Sequence, residues 1–152
     1  MKKILTIISL IVALAACEEE YNSPPKSLLE ATILYSNGST SSTPKVSVYG
    51  VGQDSLLIYQ EKLKSFRLPL NNYESTGFVV LLDSIPDTLT IHHQNTFNYE
   101  SIETGFYYEF WIDSIEHTFN RIDSVVVADS AVTKNWHENI KLYIGPVPAV
   151  DN

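Results

Sequence analysis

From residue 28 to residue 144, apolar and polar residues alternate in short runs with a period of two. That spacing suits a strand, whose successive side chains point to opposite faces, and not a helix, whose apolar stripe repeats every 3.6 residues. Thr32 and Leu34 alternate with Ala31, Ile33 and Tyr35. Ser36–Pro44 is a run of turn formers. Val46 and Val48 predict a half-buried strand. Gly50-Val51-Gly52-Gln53-Asp54 reads as the hairpin connection to Ser55–Gln60. Phe66–Leu70 alternates cleanly, with Pro69 pushing it to a sheet edge or strand end. Asn71–Ser75 is a loop. Gly77–Leu82 is apolar on both faces and predicts a central, covered strand.

The pattern continues in the second half. Asp83-Ser84-Ile85-Pro86 predicts a turn, and Thr88–His92 a strand with Leu89 and Ile91 inward. Residues 94–104 can be read more than one way. Gly105–Ile115 is a long strand with Phe106, Tyr108, Phe110 and Ile112 on one face. Tyr107, Glu109, Trp111 and Asp113 fall on the other. Phe119–Ala128 reads as another long strand, its Val125-Val126-Val127 centre apolar on both faces. Ile140–Ile144 closes the set before Pro146 and Pro148, and Lys134–Glu138 leaves room for a short helical turn. About eight strands at short spacing predict an all-β fold. An immunoglobulin-like antiparallel β-sandwich is the first expectation and a small β-barrel the alternative. Strand-plus-helix alternation, and with it a doubly wound fold, is absent.

Composition narrows the role. Among 152 residues, 10 basic side chains stand against 18 acidic, a net charge of −8, which argues against nucleic acid as a partner. The single cysteine excludes an internal disulfide framework and a cysteine-rich zinc module.

The N-terminus reads as a targeting signal rather than fold. Lys2 and Lys3 precede an apolar stretch, Ile4–Leu14, too short for a comfortable membrane span. Leu14-Ala15-Ala16-Cys17 resembles the lipobox of bacterial lipoproteins. That resemblance implies a signal peptide over 1–16, cleavage before Cys17 and diacylglycerol on its sulfur. Multiple acyl chains anchor stably where one alone holds only marginally. Without Lys2 and Lys3 the basic count is 10 − 2 = 8, and 8 − 18 gives −10 for residues 17–152. Such a charge disfavours anionic lipid surfaces, so the membrane would be held through the lipid anchor. Residues 17–27 form an acidic, Pro-containing tether, Cys17-Glu18-Glu19-Glu20 first. Acidic residues after the lipidated cysteine resemble the export signals of surface-displayed lipoproteins in some Gram-negative bacteria. The expected location is therefore the outer membrane at the cell surface, with a periplasm-facing anchor as the alternative. Residues 28–148 would form one domain and 149–152 a tail.

Chemistry-bearing patterns are few. His92 and His93 are adjacent, so a strand sends them to opposite faces. With His117 and His137 they show no metal-ligand spacing. No nucleophile elbow, paired-carboxylate cleft or phosphate loop is legible, so no catalytic residue, metal or cofactor is expected and the chain reads as a non-enzyme. Asp-Ser recurs at 54–55, 83–84, 113–114, 123–124 and 129–130 without a fixed period. It reads as turn starts and polar strand positions rather than calcium ligands. The most suggestive cluster is Trp111, Tyr107 and Glu109 with Asp113. Aromatic rings beside carboxylates can stack on sugars, though strand packing accounts for the same residues.

Several segments together resemble a family of small envelope lipoproteins built on a domain of unknown function. They are Gly50-Val51-Gly52-Gln53-Asp54-Ser55-Leu56, Leu68-Pro69-Leu70, Asp87-Thr88-Leu89-Thr90-Ile91, Gly105-Phe106 and Asn139-Ile140-Lys141-Leu142-Tyr143. The resemblance brings no activity and no active site. The role expected is binding, adhesion or assembly in the outer envelope, with a protein or glycan partner. A small carbohydrate-binding module is the alternative, and a hydrolase ranks below both.

Overall fold

Ten strands carry the alternation into two sheets, and both sheets feed one hydrophobic core. The computed structural model describes residues 27–38, 43–53 and 56–146. The signal segment, Cys17, nearly all of the tether, Asp54-Ser55 and the C-terminal tail lie outside the described residues.

The strands are β1 (Leu28–Tyr35), β2 (Lys45–Gly50), β3 (Leu56–Lys62), β4 (Ser65–Pro69), β5 (Ser75–Leu82), β6 (Ile85–Ser101), β7 (Gly105–His117), β8 (Ile122–Val127), β9 (Ala131–Val132) and β10 (Glu138–Ile144). One sheet has the order β4-β1-β10-β8, the other β3-β2-β5-β6-β7-β9. Neither closes, so the barrel expectation is not met. An antiparallel arrangement holds for every pair but one. β1 runs parallel to β10, with Ile33 opposite Leu142. No hairpin links these two strands; the whole chain between them is the crossover, and so they are free to run the same way.

The core is the inward half of each alternation. Leu29, Ala31, Phe66, Leu68, Ile140 and Leu142 come from the four-stranded sheet, and Val48, Phe78, Val80, Leu89, Ile91 and Ile112 from the six-stranded one. β5 is central, as expected, but its second face is only half covered, where Val51 folds back over Gly77. β4 lies at an edge and ends at Pro69. Val126 and Val127, in a run apolar on both faces, are exposed because β8 is an edge strand.

Two further expectations fail for local reasons. No helical turn forms at Lys134–Glu138. The Thr133 hydroxyl accepts the Asn135 N–H (3.2 Å), and the His137 ring bonds the Asn135 carbonyl, so side chains take the local backbone groups. The strand expected from Phe119 begins only at Ile122. Asp87, 1% exposed, holds the preceding segment. Its Oδ1 accepts the Thr118 hydroxyl (2.7 Å) and the Asn120 N–H (2.9 Å). Its Oδ2 accepts the Arg121 N–H (2.7 Å) and the Ile122 N–H (2.9 Å). Those groups therefore join no ladder. This is where the chain passes from the six-stranded to the four-stranded sheet.

Arg121 is buried beside it. Its guanidinium donates to the Gly145 carbonyl and reaches Asp83 at 3.2 Å. Asp83 and Ser84 form the two-residue β5–β6 turn with φ of 51° and 74°, the left-handed pair that a tight hairpin needs. Replacing Asp87 with Asn exchanges one acceptor oxygen for a donor facing two donors. Asp87→Asn is expected to destabilise the fold by about 3 kcal/mol and lower Tm on the order of 10 °C in a thermal melt. An unchanged Tm would show that the carboxylate does not hold the crossover.

Candidate functional site

β6 and β7 outrun their sheet. Ser75, the first residue of β5, pairs with His92, and β9 reaches only Phe110 and Trp111 of β7. Thr96–Ser101 and Gly105–Glu109 therefore pair only with each other, as a two-stranded hairpin. From Asn95 to Ser101 it extends roughly 20 Å. Residues 94–104, ambiguous in the sequence, are its rising strand and turn. Gly105, with φ of 75°, closes that turn in a conformation that suits glycine.

Its two faces differ. On the side that continues the core, Phe97 pairs with Tyr108 and Tyr99 with Phe106 across the strands. Phe97 stacks on Phe106 at 4.7 Å between ring centroids, and Tyr99 meets Phe106 edge-on at 5.2 Å. The stripe of Phe106, Tyr108, Phe110 and Ile112 is thus one face, as read from the sequence. Phe110 and Ile112 lie in the core and Tyr108 packs against it; Phe97, Tyr99 and Phe106 are each more than half exposed. Ile102, at the turn, is 95% exposed.

The other face holds Trp111, Tyr107, Glu109 and Asp113. Trp111 is 57% exposed and unstacked. Its neighbour Asp113 accepts a hydrogen bond from Gln94 Nε2 (3.0 Å). Asn98 donates to Glu109 (3.2 Å). The Lys134 ammonium sits 4.1 Å from the Tyr107 ring centroid and bonds the Glu100 carboxylate. That carboxylate is the main cause of a Lys134 pKa raised above its ordinary value. The structure therefore places the three predicted ligand contacts on one face, but one side of the Tyr107 ring is already covered by Lys134.

At the hairpin base a shallow hollow is lined by Asn72, Tyr73, Glu74, Ser75, His93 and Gln94. His93 is buried, its Nε2 2.8 Å from the Thr76 hydroxyl and its ring edge-on to Phe110 at 5.2 Å. His92 lies 3.7 Å from Glu116, and His137 3.1 Å from Asp129. Among the described residues no three potential metal ligands come together. The Asp-Ser pairs divide by position. Asp129 starts a turn by accepting the Ala131 N–H (2.9 Å), Asp83 forms one, Asp123 bonds Ser36, and Asp113 sits on the polar face of a strand.

Phe97, Tyr99 and Ile102 were not singled out from the sequence. The available signal was the alternation of Asn95, Phe97 and Tyr99 with Gln94, Thr96 and Asn98, which matches the aromatic face of β7.

A family model described as "Family of unknown function (DUF6452)" matches residues 45–144, from the first residue of β2 to the last of β10. No curated protein and no solved structure matches the chain.

Burial lowers the His93 pKa from its ordinary 6.5, Asp113 opposing and the His92 ring adding to the shift. The unfolded chain thus takes up this proton at higher pH than the folded one. The stability His93 contributes is complete above 6.5 and lost as pH falls through the folded value. In urea melts, the advantage of the wild type over His93→Gln is expected to be largest above about pH 7 and to shrink toward about pH 5. A difference that does not change with pH would contradict this.

Proposed function

The chain belongs to this family of unknown function, and on that premise we propose that it is a lipid-anchored, non-enzymatic binding or assembly module of the outer envelope. The observation that carries the reading is the projecting β6–β7 hairpin, which exposes Phe97, Tyr99, Ile102 and Phe106 together. Exposed apolar surface gathered at one place marks an interaction site, whereas scattered single residues do not. The buried polar groups have structural duties. Asp87 joins the sheets, and Asn139 accepts the Glu30 N–H (3.0 Å) while donating to Asp129 and Ala131 carbonyls.

Anchoring rests on Leu14-Ala15-Ala16-Cys17, with 1–16 as signal peptide, 17–27 as tether and 28–148 as one domain. Cell-surface display follows from the acidic start of the tether, and a periplasm-facing anchor is the alternative. The same reading takes the two sheets as the layers of an immunoglobulin-like sandwich. Its supports are the shared core and the parallel pairing of first strand with last.

A second reading, a carbohydrate-binding module, draws on Trp111, exposed on the hairpin's polar face beside the Gln94–Asp113 pair. Glu109 and Tyr107 would complete that surface.

Cys17→Ala is expected to move the protein from the membrane to the soluble fraction and to abolish acyl labelling. Unchanged fractionation and labelling would remove the anchor from the account. Glycan-array binding lost in Trp111→Ala would shift the assignment to the second reading; an array without hits would count against it.

A further inference from the structure

The strands fix which end of the molecule the hairpin leaves from. Leu28, the first residue of β1, pairs with Pro69 at the end of β4. The chain then turns through Leu70 and Asn71, where Asn71 is bonded to Thr76 and Ser75. Ser75 pairs with His92, just where β6 leaves the sheet. Chain entry and hairpin base therefore lie at the same end of the domain, while Phe119 lies at the other, beside the Asp87 crossover.

Exposed apolar groups are concentrated at the entry end: Phe97, Tyr99, Ile102 and Phe106 on the hairpin, with Tyr73 at its base. From Cys17 to Leu28 is 28 − 17 = 11 residues. Fully extended they span at most about 40 Å, roughly twice the hairpin's projection. An anchor at Cys17 and the hairpin turn can thus touch one surface together with slack to spare. Leaving from the opposite end, the tether would first have to cover the length of the domain.

We propose that the hairpin turn inserts into the interface of a lipid bilayer with neutral headgroups. This rests on the anchored reading above and names the partner of the same surface. Phe and Tyr rings around an apolar turn suit the boundary between headgroups and acyl chains, where rings bury while hydroxyls stay wet. Charge selects the lipid. Lys134, a cation beside the hairpin, is engaged by Glu100, Arg67 of β4 is paired with Glu30, and Glu103 is exposed at the turn. An anionic surface would repel this end; a zwitterionic one does not.

The test uses the full chain carrying Cys17→Ala, which leaves no native thiol, together with Ile102→Cys bearing a nitrobenzoxadiazole label. Ile102 is exposed, so its replacement does not touch the core. On adding phosphatidylcholine vesicles, the label at 102 is expected to shift to the blue and brighten several-fold, and less so on phosphatidylglycerol. A label placed by Phe119→Cys, at the opposite end, is expected to stay water-like. Water-like emission at 102, whether or not the chain sediments with vesicles, would overturn the proposal. An equal or stronger response on phosphatidylglycerol would overturn the neutral-lipid assignment. A blue shift without lipid that grows with protein concentration would assign the face to a second copy instead. Fractionation of the single Cys17→Ala variant judges the anchor separately, so the two readings fail independently.

Discussion

The Asp87 carboxylate holds the two sheets in one fold. It is taken wholly out of water, which is costly, and is satisfied by one hydroxyl and three backbone amides. Charge-assisted bonds to a buried carboxylate contribute about 1.5–3 kcal/mol each, enough together to offset its desolvation. The amides belong to the segment that carries the chain between sheets, so strand β8 can begin only where Asp87 releases it. Arg121, between Asp83 and the Gly145 carbonyl, ties the β5–β6 turn and the end of β10 to the same point. Four elements meet there, at one end of the molecule.

The opposite end is built on different terms. There the six-stranded sheet stops and two of its strands continue without neighbours. An isolated two-stranded hairpin is marginal in water. This one is supported from below by the sheet, and across its strands by the stacked aromatic pairs. It is braced from the side by the Lys134–Glu100 ion pair. Aromatic rings that are buried in the core at Phe110 stand exposed at Phe106, four residues further out on the same strand. The molecule thus has a tied end and an open end, and β1 begins at the open end.

The strands were legible wherever one face met the core, because burial forces the period of two that identifies them. Val46 and Val48, Leu89 and Ile91, and Leu142 all sit inward as their spacing implies. Where the chain leaves the core, that signal changes. Phe97 and Tyr99 alternate correctly, yet polar Asn95 shares their face and hid the strand. Asp87 was legible only as a polar residue at the start of a strand. Its role depends on amides more than thirty residues away, which spacing does not show. The parallel pairing of β1 with β10 is non-local for the same reason. The cluster of Trp111, Tyr107 and Glu109 was read correctly as one face. The Lys134 side chain over Tyr107 arrives from another segment and was not legible.

With one end tied at Asp87 and lipid contact proposed at the other, solvent access should change on vesicle binding at the hairpin alone. Hydrogen–deuterium exchange of the full chain, with and without phosphatidylcholine vesicles, tests this residue by residue. Slowed exchange confined to the hairpin from Phe97 to Phe106, with the Thr118–Ile122 crossover equally protected in both conditions, is the result the account predicts. Slowed exchange at the crossover end, or none on the hairpin of vesicle-bound protein, would contradict it.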